Sequence, residues 1–170
     1  MFRAHPNNTA RTALVLFAFA LLTAFSLPVL AADPHPVVGY SKQGKFEDVR
    51  DDLKLAIEGK GLVIDHQSFV NDMLERTGKD VGSARKLYLD AQAFSFCSAA
   101  LSRKMMEADP ANMSMCPYAM VVYATAQEPG KVHVTYRRPW RPDGSAASKA
   151  ALKDVEKLLD GIARRAVGMK

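Results

Sequence analysis

The sequence predicts a single α/β (α+β) domain in two layers: a mixed or antiparallel sheet packed against helices, with a C-terminal amphipathic helix. Three observations carry this. Apolar residues recur at helical spacing in Phe46 to Ile57 and again in Ser145 to Val167. Alternating segments run over Ala91 to Cys97 and Val132 to Arg138. Between Tyr118–Ala126 and Val132–Arg138 stands Glu128-Pro129-Gly130-Lys131, which suits a type II turn and makes the sheet at least partly antiparallel. The 170 residues, 48% hydrophobic and 24% charged, exclude a disordered or fibrous chain, and two cysteines are too few for a disulfide-dense scaffold.

Residues 1–32 read as targeting sequence. Met1 to Arg11 carries Arg3 and Arg11 and no acid, Thr12 to Leu27 is apolar and uncharged, and Pro28 to Ala32 supplies small residues for cleavage after Ala31 or Ala32. This is the pattern of a secretory signal peptide. The apolar run is shorter than the ~20 residues a membrane span needs, and no later stretch reaches that length. Removal of residues 1–32 leaves 138 residues (170 − 32) with a net charge of +3 (21 − 18). Export places Cys97 and Cys116 in an oxidising compartment, where a disulfide persists.

Along residues 33–170, Asp33-Pro34-His35-Pro36 is an extended leader and Val37 to Tyr40 a short strand. Phe46, Val49, Leu53 and Ala56/Ile57 form a helical stripe, with Glu47, Asp48, Asp51 and Asp52 near the helix start, where the macrodipole favours them. Gly59 and Gly61 end that helix, Leu62-Val63-Ile64 reads as a buried strand, and Phe69 to Arg76 as a short helix. Ala91 to Cys97 is the next strand. Ser98 then caps a helix with Leu101, Met105 and Ala108 inward, stopped at Asp109-Pro110. Tyr118 to Ala126 is apolar on both faces, as a central strand is, whereas Val132 to Arg138 has one wet face and reads as nearer the sheet edge. Leu152, Val155, Leu158/Leu159 and Ile162 line one side of the last helix.

FCSAALSRKMMEADP (Phe96 to Pro110), MCPYAMVVYA (Met115 to Ala124) and GKVHVTYRRP (Gly130 to Pro139) together resemble domain-of-unknown-function family 302. FEDVRDDLKLAIEGKGLVI (Phe46 to Ile64) is similar to that family's opening helix and strand. The resemblance covers about residues 37 to 140 and leaves the helix from Ser145 outside it. It implies a compact two-layer α/β domain, often exported in bacteria, with no assigned reaction and no catalytic residue to carry over.

Cys97 ends one strand and Cys116 precedes the next, so a structural disulfide is the first expectation, stabilising by about 3 kcal/mol. If the two strands ran parallel, their facing ends would lie roughly 17–20 Å apart, beyond the ~7 Å Cα limit. The bridge therefore requires antiparallel strands or a loop at Asn112 to Met115 that walks back. A second reading is a soft-metal site drawn from Cys97, Cys116, Met113 and Met115, since thioether and thiolate ligands select Cu(I). Copper is the one cofactor the residues suggest. A two-residue turn pairs Glu128 with Lys131 and sets His133 and Met120 about 20 Å apart, which excludes a shared ion. The third reading is thiol redox chemistry: C-x-x-C is missing, but Cys97 stands just before the Ser98 cap, near a helix N-terminus.

Arg137, Arg138, Trp140 and Arg141 form a basic, aromatic segment stiffened by Pro139 and Pro142. Such a segment can grip a phosphate or carboxylate; the plainer expectation is solvated arginines with Trp140 capping the core. A net charge of +3 on an exported domain points away from nucleic acid and towards a small anionic ligand, envelope lipid or polysaccharide. No G-x-S-x-G, H-E-x-x-H, P-loop or G-x-G-x-x-G motif occurs, so no catalytic residue is assigned. Asp65-His66 are strand neighbours directed to opposite faces and read as structural. The expected function is that of an exported, non-enzymatic ligand- or partner-binding module, with copper handling or thiol redox as the competing class.

Overall fold

The computed structural model describes residues 35–83 and 85–170; the expected signal peptide lies outside them. Ten elements follow in order: β1 (Val37–Gln43), α1 (Phe46–Glu58), β2 (Ile64–Phe69), α2 (Val70–Thr77), β3 (Asp90–Phe96), α3 (Ala99–Ala108), a 3₁₀ helix (Pro110–Met115), β4 (Tyr118–Ala124), β5 (Lys131–Arg137) and α4 (Ala146–Ala166). The strands form one sheet in the order β1-β5-β4-β3-β2, and every pairing is antiparallel. Among the described residues no helix is long and apolar enough to cross a membrane.

The two periodicities in the sequence build the two layers. α1 buries Phe46, Val49, Leu53, Ala56 and Ile57, and α4 buries Leu152, Val155, Leu159 and Ile162 along with Ala151, Ala163 and Ala166. Both stripes join one core with Phe94, Phe96, Met120, Val122, Val134 and Tyr136 from the sheet and Met105 from α3. α4 packs against both α1 and α3, so it is the middle rod of the helical layer. Ser145 starts α4 by accepting a hydrogen bond from the Ser148 N–H at 3.1 Å, and Ser98 caps α3 in the same way at 3.4 Å from the Leu101 N–H.

The other face of the sheet carries Gly39, Thr135, Val121 and Ala93 in one row across four strands. Gly39 suits this row because a Cβ there would stand 3.0 Å from Thr135 Cγ2. A second row holds His133 stacked on Tyr123, with centroids 4.8 Å apart, and Tyr88 edge-on to Tyr123.

Several expectations are corrected. β2 is not Leu62-Val63-Ile64: Val63 is 78% exposed and the strand begins at Ile64. It is an edge strand with a bulge between Ile64 and His66, and an edge needs no continuous apolar run. β5 is an interior strand, because β1 lies outside it; its wetter face carries the half-buried His133 and Thr135. The turn at Glu128–Lys131 does form, with Gly130 at φ +75° and the Lys131 N–H donating to Glu128 O at 3.1 Å. The hairpin register, however, places Tyr123 opposite His133 and Met120 opposite Tyr136. β4 ends at Ala124, so the connection is longer than two residues and the register moves by three. Met120 and His133 still cannot share an ion, now because they lie on opposite faces.

Candidate functional site

The end of the sheet where β3 finishes, β4 starts and β5 finishes gathers most of the residues singled out from sequence. β3 ends at Phe96, opposite Tyr118, the first residue of β4. Cys97 follows the one and Cys116 precedes the other by two positions, so antiparallel pairing brings their Cα atoms to 6.6 Å, with the two sulfurs facing each other. The parallel-strand objection therefore does not arise. Between them α3 runs out and the chain returns through the 3₁₀ helix, which Asp109 caps by accepting from the Ala111 N–H at 2.9 Å. Cys97 is exposed and Cys116 half-buried.

Ser102 on α3 reaches over this junction, its hydroxyl 3.1 Å from the Tyr118 hydroxyl and 3.7 Å from Cys116 Sγ. Burial raises the Tyr118 pKa, and the Ser102 hydrogen bond only partly offsets it. Phe96 meets the Tyr118 ring edge-on at 6.0 Å. Alongside lies a cavity of about 140 Å³. Ser114, Met115, Pro117 and Ala119 form one side of it, Arg137 and Pro139 the other. A larger cavity of about 470 Å³ lies between α2 and the loop that follows it, remote from every residue predicted as a site.

The four sulfur residues proposed as copper ligands do not share one environment. Met115 packs against the core, while Met113 is 60% exposed on the 3₁₀ helix. Among the described residues no three His, Cys, Asp or Glu side chains form a metal-binding group.

The basic segment is divided rather than gathered. Arg138 pairs with Glu156 of α4 and donates to the His35 carbonyl at 3.0 Å. Arg141 binds Asp109 at 2.7 Å, Asp143 at 3.0 Å and the Asn112 side-chain oxygen at 3.3 Å. Trp140 is 37% exposed and does not close the core. Arg137 is exposed and makes no ion pair among the described residues. Two of the three guanidiniums are thus structural clamps.

Two polar clusters escaped the sequence reading. Asn112 and Ser148, both fully buried, exchange hydrogen bonds at 2.9 and 3.1 Å, and Asn112 donates to the Met105 carbonyl at 2.8 Å. In the second, Tyr40 and Tyr136 both donate to Asp160, which also accepts from Arg164 at 2.7 Å; Arg164 lies over the Tyr40 ring. Burial raises the Asp160 pKa, but the hydrogen bonds from Tyr40 and Arg164 outweigh it and hold the carboxyl below its ordinary value. Burial, with the nearby Asp160 and Glu156 charges, pushes Tyr136 up. Only the Asp160–Arg164 spacing of four, a helical pair, was visible in sequence.

Comparison with known proteins now bears on this arrangement. The family model described as "Domain of unknown function DUF302" matches residues 38–166, spanning all five strands and α4. The chain belongs to the DUF302 family. The DUF302 match extends past residue 140, so the C-terminal helix is part of the family domain and not an addition to it. A solved structure of similar fold is an uncharacterized conserved DUF302 protein from Bacillus stearothermophilus, 17% identical, with a TM-score of 0.64 over 78% of this chain and 99% of that one. At that identity the likeness bears on fold alone. No curated protein is significantly similar to the chain.

Proposed function

We propose that this DUF302 chain is an exported binding module of the periplasm, non-catalytic, whose fold is braced by a Cys97–Cys116 disulfide. The observation that supports it best is the 6.6 Å Cα separation of two cysteines at the ends of neighbouring antiparallel strands, in a chain that opens with a signal-peptide pattern. Such placement is what a brace requires. The charged and polar groups around it are also committed to one another: Arg141 to Asp109, Arg138 to Glu156, Asn112 to Ser148. They hold elements together and leave an apolar hollow beside Arg137, which makes no ion pair among the described residues. The test is thiol titration of the unreduced, purified protein under denaturant. No reactive thiol is expected, and two per chain would end the proposal.

Thiol–disulfide exchange is the second reading, favoured by the exposure of Cys97 immediately before the N-cap of α3. The two readings separate on redox potential. A structural bridge should lie below about −300 mV, whereas a value nearer −200 mV would favour exchange. Copper handling would use the same sulfurs in reduced form with Met113 and Met115. Copper loading of the reduced protein tests it, and stoichiometric copper retained when both methionines are changed to Leu would remove them from the site.

A further inference from the structure

We propose that the 140 Å³ cavity beside the cysteine pair is a binding site for a short-chain monocarboxylate, with Arg137 as its cation and the Cys97–Cys116 bridge holding one wall. The proposal builds on the binding-module reading and names its ligand class.

Size comes first. A dry cavity of about 150 Å³ accommodates a benzene-sized guest, so this hollow suits a chain of about four to six carbons. Its chemistry agrees. Met115, Pro117, Pro139, Ala119 and Leu159 supply apolar contact, and Leu159 is itself buried in the core. Arg137 is the only cation among the lining residues, and it makes no ion pair among the described residues. A guanidinium fork matches a carboxylate in two parallel hydrogen bonds. A single cation suits a monoanion; a phosphate dianion would need a second. Ser114 already donates its hydroxyl proton to the Ala111 carbonyl at 3.0 Å, so it serves the site as a wall and an acceptor.

The coupling to the bridge is a matter of chain position. Ser114, Met115, Pro117, Tyr118 and Ala119 all line the cavity and all lie within three residues of Cys116. Tying Cys116 to Cys97 at the end of β3 fixes that wall against β3. Tyr118 and Ala119 are already laddered to Phe96 and Ser95, so the bridge adds a hold on Ser114 to Pro117, which otherwise rest on packing, on the Cys116 N–H bond to the Met113 carbonyl and on the Ser102 contact.

Titration calorimetry with hexanoate tests the site on the purified oxidised protein. Hexanoate should bind at millimolar concentrations or below, and 1-hexanol and inorganic phosphate should bind at least about tenfold more weakly. Arg137→Gln should weaken hexanoate by about tenfold or more; because Arg137 is exposed, this variant keeps the fold, which circular dichroism verifies. Ala119→Phe, at an exposed wall position, should also weaken binding by occupying the hollow. Absent hexanoate binding, binding indifferent to Arg137→Gln, or equal binding of hexanol or phosphate each overturns the site. Equal affinity in the Cys97→Ser/Cys116→Ser protein overturns the role of the bridge. Free thiols in native material combined with Arg137-dependent hexanoate binding would sink the braced-module reading and leave the site standing; a bridged protein that ignores hexanoate would do the reverse.

Discussion

Removing the proposed Cys97–Cys116 bridge should cost the fold about 3 kcal/mol. The figure follows from the cross-linked segment: the cysteines are 19 residues apart, and a closed loop of that length removes about 11 cal/mol/K from the unfolded chain. The replacement itself should add little. Cys97 is exposed, Cys116 is half-buried, and a serine at either position can meet water or the Ser102 hydroxyl. The comparison is urea unfolding of the oxidised protein against Cys97→Ser/Cys116→Ser, followed by tyrosine and tryptophan fluorescence and far-ultraviolet circular dichroism. With an m-value of about 2 kcal/mol/M the midpoint should fall by about 1.5 M. Coincident fluorescence and circular dichroism transitions would confirm that each protein unfolds in one step. A midpoint change below about 0.3 M would refute the reasoning, because the loop would then be ordered without the bond or the bond would carry strain equal to its entropic gain.

Asp160→Asn should destabilise by about 1–2 kcal/mol in chemical unfolding, since it weakens charge-assisted bonds from Tyr40, Tyr136 and Arg164 at a partly exposed site. The same carboxyl contributes to acid sensitivity. A carboxyl whose folded pKa is depressed stabilises fully above its unfolded value near 3.8 and ceases to do so as pH falls through the folded value. Asp154, held at about 2 by hydrogen bonds from Lys104 and Lys157, and Asp160 should together make stability fall between about pH 4 and pH 2. Asp160→Asn should flatten that decline, and an unchanged pH profile would show the group to be uninvolved. Asn112→Ala should cost about 1–3 kcal/mol in thermal or urea unfolding, because it leaves the buried Ser148 hydroxyl without its partner, while the Met105 carbonyl keeps the Asp109 N–H. Met105→Ala, at a fully buried position in the core, should cost about 2–5 kcal/mol by the same assays.

What the sequence revealed of the fold follows from where its signals originate. Local periodicity is a one-dimensional record of burial, so α1, α3, α4, β3, β4 and β5 were readable, including the Ser98 and Ser145 starts. β2 was misplaced because an edge strand is half polar and its apolar neighbour Val63 faces solvent. The hairpin register was wrong because a turn motif specifies its own four residues and not where the ladder resumes; Ala124 is the last residue of β4, four positions before Glu128. For the candidate site, both cysteines stood out as residues, but their approach depended on strand direction, which the sequence left open. The arginines misled in the opposite sense. Arg137, Arg138 and Arg141 are close in sequence, yet strand alternation and the following loop send them to different partners. The Tyr40–Asp160 bond spans 120 positions and the Asn112–Ser148 bond 36, and no local pattern encodes either.

Export and closure by one disulfide are the two halves of the proposed function, and intact-mass spectrometry of protein isolated from its native cells examines both together. The expected species begins at Ala32 or Asp33, is two hydrogens lighter than the reduced polypeptide, and takes up an alkylating reagent only after reduction. A species retaining its first thirty residues, or alkylated at Cys97 and Cys116 without reduction, would contradict it.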